Sequence, residues 1–159
     1  MKTIGTTVLL LTLCGCAPFQ KTVIDPAFAT QVRKWNGLYP SHRIDNITVQ
    51  FASLEQQKTT LGEVVGECLE DASTLNTTYT INIDPTYWNE AGDVLKEQIL
   101  FHEAGHCVFH LLHNCSSTTL ADEPSVRPAS IMNPYTFAYS SEDAQYYYNE
   151  LSTDVSNCP

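Results

Sequence analysis

Apolar residues recur along this chain at two different spacings. Phe28, Val32 and Trp35 follow Pro26 at helical intervals and predict a helix over residues 26–35, ended by Asn36 and Gly37. Between residues 44 and 51 the pattern becomes alternation, with Ile47, Val49 and Phe51 on one face of a strand. Residues 55–62 are polar and read as a loop or short turn, and Val64, Val65 and Cys68 suggest a second strand. Tyr79, Ile81 and Ile83 mark the clearest strand, over residues 78–84, closed by Asp84 and Pro85. Asp93 is placed to cap a helix over residues 94–112. Its polar residues Lys96, Glu97 and Gln98 lie in the first turns. From Ile99 onward apolar residues face nearly every side, which predicts a helix running through the interior. Pro124 and Pro128 mark an irregular stretch, and residues 141–151 read as a closing helix. A small sheet followed by helices is an α+β order, with no internal repeats.

The two ends of the chain and its charge refine this picture. Met1 and Lys2 precede an apolar run, Ile4 to Leu13, that ends in Leu13-Cys14-Gly15-Cys16. The run is too short to span a bilayer but suits a secretory signal. Its last four residues resemble a bacterial lipobox. The expected organisation is a lipoprotein signal peptide over 1–15, lipidation at Cys16, a tether over 16–25 and one domain over 26–159. The expected location is the bacterial cell envelope, at the outer membrane or the periplasmic face. The net charge of −10 offers no electrostatic footprint for nucleic acid and would be repelled by an anionic membrane surface, so membrane attachment would rest on the lipid at Cys16. Four further cysteines, Cys68, Cys107, Cys115 and Cys158, suggest two disulfides in an exported chain, with three pairings open.

The chemistry concentrates on the central helix. His102-Glu103-Ala104-Gly105-His106 is an HExxH motif, with its histidines one turn and about 6 Å of rise apart on one face. Two such imidazoles can share one Zn2+, and Glu103 stands where it can take the proton of a zinc-activated water attacking a carbonyl. Four of the five histidines fall within residues 102–113. Burying so many imidazoles without a metal would require a hydrogen-bond partner for each. For the third ligand, His110 continues the series but lies about 12 Å along the axis from His102, too far for three residues of one straight helix to close on an ion. His113, just past the helix, is favoured; His110 and the downstream acids Glu123 and Glu142 are the alternatives.

HEAGHCVFHLLH resembles the metzincin signature HExxHxxGxxH, in which a glycine turns the chain so that a third histidine reaches zinc. Phe109 stands at the glycine position, and His113 lies one residue later than the pattern. Ser130-Ile131-Met132-Asn133-Pro134-Tyr135 resembles the Met-turn, whose methionine forms an apolar floor under the histidines. Together these features are similar to a group of small bacterial exported metallopeptidase-like proteins that carry HExxHCxxxxxH followed by SIMNP. The resemblance covers residues 64–137. It implies a zincin-like, metzincin-like single domain, with a short mixed sheet packed on a central active-site helix and a C-terminal helix. Met132 would be the Met-turn residue, and Tyr135 could support the transition state, although it lies three residues after the methionine rather than two. Cys107 projects away from His102, so a bond to Cys68 would tie the helix to the sheet. Cys115–Cys158 would then fasten the C-terminus beside the third ligand.

The expectation is a zinc metallopeptidase acting on a peptide or protein substrate, with His102, His106 and His113 as ligands and Glu103 as general base. The alternatives are a zinc amidase acting on envelope peptidoglycan and a non-catalytic zinc-binding lipoprotein.

Overall fold

A computed structural model describes residues 22–54, 58–59, 62–73, 77–120, 123–153 and 158. The expected signal peptide, Cys16 and the tether as far as residue 21 lie outside these residues. The end of that tether runs alongside the first strand, where Ile24 bridges Val49 and the Asp25 amide donates to the Val49 carbonyl at 2.9 Å.

Asp25 caps a single 3-10 turn, Pro26–Phe28, which continues into helix α1, Ala29–Leu38. This helix runs past the expected stop. Asn36 is anchored from within it, accepting the Ile44 amide at 2.9 Å and donating to Asp45 at 2.7 Å. Strand β1 is only Thr48–Phe51, because Ile44 to Ile47 form a turn, although Ile44 itself is fully buried. A two-stranded ribbon, β2 (Lys58–Thr59) and β3 (Gly62–Glu63), follows where a loop was expected. Strands β4 (Gly66–Asp71) and β5 (Thr78–Ile83) complete a three-stranded mixed sheet in the order β1-β5-β4. The β1–β5 pairing is parallel and the β4–β5 pairing antiparallel. Among the described residues β4 is therefore an edge strand.

Asp84 ends β5 by capping a short helix that the sequence pattern did not reveal, α2 (Pro85–Glu90), and its carboxylate accepts the Thr86 and Tyr87 amides. Helix α3 spans Asp93–Phe109. Gly92 rather than Asp93 occupies its N-cap, and it ends three residues before the expected 112. The proline-bearing stretch expected to be irregular is a hairpin, β6 (Ser117–Leu120) with β7 (Glu123–Pro128). A two-stranded ribbon has only edges, so its prolines interrupt no inner ladder. Helix α4, Ala144–Leu151, closes the described fold.

Helix α3 packs on β4, β5 and α1 and is the spine of the core. Phe101 meets Trp35 edge-on at 5.2 Å between ring centres and Tyr148 at 5.7 Å. A polar clamp on the solvent side joins three elements: Glu97 of α3 accepts from Lys34 and Tyr139 and also from Tyr148 of α4. Two disulfides, Cys68–Cys107 and Cys115–Cys158, form the pairing considered for the sequence. The first fixes the edge strand to α3, one residue after His106. The coarse α+β class and the mixed sheet on a central helix are as expected. No helix among the described residues is long and apolar enough to cross a membrane.

Candidate metal centre

His102, Glu103 and His106 lie on the part of α3 that faces a cleft of about 310 Å³. Its walls come from Val64 to Cys68 on one side and Asn133, Pro134 and Thr136 on the other. His102 Nδ1 lies 2.8 Å from the Ile131 carbonyl, and His106 Nδ1 lies 2.6 Å from the Leu111 carbonyl. A carbonyl only accepts, so both Nδ1 atoms carry the proton and both Nε2 atoms present a lone pair. Those two Nε2 atoms face each other at 3.1 Å, and neither can donate to the other.

Two opposed lone pairs at that distance repel unless a cation lies between them. A tetrahedral zinc with bonds of about 2.0–2.1 Å would hold two nitrogens about 3.3–3.4 Å apart, close to the spacing seen. The donor set therefore fits a metal ion. Backbone carbonyls on the far side of each ring fix its tautomer and orientation, as metal-binding histidines require.

The third histidine arrives by a left-handed turn. His110 has φ 55° and ψ 34°, and its amide and that of Leu111 both fall on the Gly105 carbonyl. The chain doubles back there, and the His113 ring comes 5.2 Å from that of His102 and 5.0 Å from that of His106, centre to centre. Ligand atoms of His102, His106 and His113 all lie within 4.8 Å of one another, the one such group among the described residues. His110 does not join them; it is exposed and packs near Tyr79. Glu142 is exposed and outside the group, and the side chain of Glu123 is outside the described set.

The left-handed turn falls one residue later than the glycine of the HExxHxxGxxH pattern. In that pattern the turning glycine is three residues after the second histidine, and the third histidine is three residues after the glycine. Here the left-handed residue is four after His106, and His113 is again three after it. The three-residue spacing from turn to histidine is the same in both.

The segment resembling the Met-turn clasps this loop. Ser130 Oγ accepts the Met132 amide, the Asn114 amide donates to the Met132 carbonyl at 2.9 Å, and Asn133 Nδ2 donates to the Asn114 carbonyl at 3.3 Å. Met132 is fully buried, and Gly105 leaves room for it: a β-carbon there would lie 2.5 Å from Met132 Sδ. Tyr135, by contrast, is 55% exposed and is not among the residues of the cleft wall.

Glu103 is buried, and Gly66 faces it so closely that a β-carbon would lie 2.7 Å from Glu103 Oε1. Burial, reinforced by the charge of Glu67, pushes its carboxyl up to about 8 in the metal-free site. Burial likewise lowers His102 to about 3 and lowers His106 and His113, so the imidazoles stand neutral and ready to ligate. A bound dication would pull the Glu103 value back down. Sequence reasoning missed Gly66, the Ile131 and Leu111 carbonyls and Gln98, whose Oε1 accepts the Phe137 amide at 3.0 Å on the cleft floor. No periodicity marks backbone carbonyls or a close approach between remote segments. No family model, curated protein or solved structure matches this chain.

Proposed function

We propose that this protein is a zinc-dependent metallopeptidase of metzincin-like type. The observation that carries the reading is the convergence of three neutral imidazoles beside the buried carboxyl group of Glu103, at the floor of a cleft walled by an edge strand. A closed structural site would have no use for Glu103 there. His102, His106 and His113 would hold the zinc, which would supply Lewis acidity that brings a water's pKa near neutrality.

The protein's own groups supply the rest. Glu103 takes the proton of the attacking water and passes it to the leaving amine as the peptide bond breaks. Ile131 and Leu111 hold the imidazoles in their ligating tautomer. Strand β4 gives the substrate a template. The Asp84 amide donates to the Val65 carbonyl, so Val65, Glu67 and Leu69 bond to β5, while the amide groups of Gly66 and Cys68 turn outward. An extended peptide laid along that edge would pass over Glu103.

The two disulfides accord with export, and lipidation of Cys16 with envelope anchoring remains part of the proposal. The test is zinc content together with hydrolysis of unfolded protein substrates. Hydrolysis should disappear on chelation and return with zinc. Glu103→Gln should keep the metal and lose about 10²–10⁴-fold in rate. Full activity in Glu103→Ala would overturn the enzyme reading, and cleavage of cell-wall amides alone would replace its substrate.

A further inference from the structure

We infer that Glu67 selects a basic side chain in the substrate, within about two residues of the bond that is cut; this rests on the peptidase reading above. Cys68 is bonded to Cys107 of α3, so its neighbour Glu67 projects from the opposite face of the sheet. Its carboxylate is not loose. Oε1 accepts from Asn82 Nδ2 at 2.9 Å, and Asn82 Oδ1 accepts from Gln50 Nε2 at 3.0 Å. This rung crosses β4, β5 and β1 at matched register positions. The side chain is thus oriented before any ligand arrives, and little rotamer freedom is lost on binding.

No described cation compensates the Glu67 charge either. Among the described residues the ion pairs are Lys34–Glu97, Arg43–Asp45 and Arg127–Asp143, and none involves Glu67. Among the described residues no lysine or arginine lines the cleft, and the chain as a whole carries a net charge of −10. A peptide paired with the outward amides of Gly66 and Cys68 alternates its side chains. One enters the cleft, where Val64, Val65, Ile99 and Pro134 are apolar, and the next lies on the outer face beside Glu67. Gly66 contacts Glu103, and adjacent strand residues are only about 3.3 Å apart, so the residue beside Glu67 is close to the reacting carbonyl. The substrate class is an extended polypeptide with Lys or Arg next to an apolar residue.

The experiment uses two pools of random decapeptides, identical except that one carries lysine where the other carries uncharged norleucine. Retention on immobilised metal-free protein and cleavage by zinc-loaded protein are both read by mass spectrometry. Wild type should favour the lysine pool roughly two- to fivefold in both, with lysine at one fixed position around the cuts. Glu67→Gln keeps an acceptor for Asn82 and should bring the ratio near one, and Glu67→Lys should invert it. Removing the same charge elsewhere, with Glu90→Gln, should leave the ratio in place. Equal treatment of both pools by wild type, or an unchanged ratio in Glu67→Gln, overturns the inference whether or not peptides are cut. Lysine-dependent retention without any cleavage by zinc-loaded protein overturns the peptidase reading and leaves cation selection by Glu67 standing.

Discussion

Gly66 and Glu103, 37 residues apart in the chain, are in contact across the cleft: a β-carbon on Gly66 would sit 2.7 Å from Glu103 Oε1 and 2.8 Å from its Cγ. The edge strand is therefore shaped around the proposed base. Gly66→Ala should displace the carboxylate while leaving the three imidazoles in place. The expected result is unchanged zinc content with kcat lowered by about 10–100-fold, since a displacement of about 1 Å can cost that much. Steady-state kinetics beside metal analysis decides it, and loss of zinc in this variant would contradict the prediction.

His113 and His110 should separate cleanly. His113→Ala removes a proposed ligand and should weaken zinc binding by orders of magnitude. His110→Gly should retain zinc and stabilise the fold by about 1 kcal/mol, because glycine adopts the left-handed conformation without the strain of a β-carbon. Competition with a coloured chelator measures the first effect and denaturant melts the second.

The contact between Gly105 and Met132 predicts an overpacking penalty. A β-carbon at Gly105 would lie 2.5 Å from Met132 Sδ and 3.3 Å from Leu151 Cδ1, both residues being fully buried. Gly105→Ala should cost about 1–3 kcal/mol of stability. Adding Met132→Ala should recover part of that cost, a coupling that a double-mutant cycle by denaturant melts would reveal.

Glu103 sets a pH dependence in the metal-free protein. Its carboxyl titrates at about 8 when folded against its ordinary 4.5, so the folded state holds the proton longer than the unfolded chain. A group of that kind loses stabilising effect as pH rises from about 4.5 through 8. Glu103→Gln has no proton to lose, so it should match wild type near pH 4 and exceed it by a few kcal/mol near pH 9. Chelated samples melted across that range provide the check, and a constant difference would count against the buried-carboxyl account.

The Cys68–Cys107 bond closes a loop with a sequence separation of 39. Replacing both residues by serine should cost about 4 kcal/mol on the chain-entropy account. Because this bond ties β4 to α3, the variant should also lose hydrolysis faster than zinc affinity. Metal titration and rate measurements on the folded fraction would show the order.

Legibility in the sequence followed the range of the forces involved. Ile99, Leu100 and Phe101 made the central helix plain, and Tyr79, Ile81 and Ile83 the central strand, because side-chain periodicity is local. The four-residue spacing of His102 and His106 likewise puts both rings on one face wherever the helix lies. Asp84 capping α2 was hidden because the same Asp-Pro pair also ends strands. The hairpin over Ser117–Leu120 and Glu123–Pro128 was hidden because proline argues against strands except at edges, and edges exist only in the assembled sheet.

The sequence by itself put two imidazoles one turn apart on a helix face with a glutamate between them, and pointed to a third candidate ligand beyond the helix end. Only the tertiary structure decided where that helix stops. A positive φ at His110, not glycine, turns the chain and brings His113 back to the other two imidazoles. It also decided which backbone carbonyls orient the rings and that Gly66 lies against Glu103. Such contacts join segments with no local pattern in common, so they exist only once β4, α3 and the loop around Met132 have packed together.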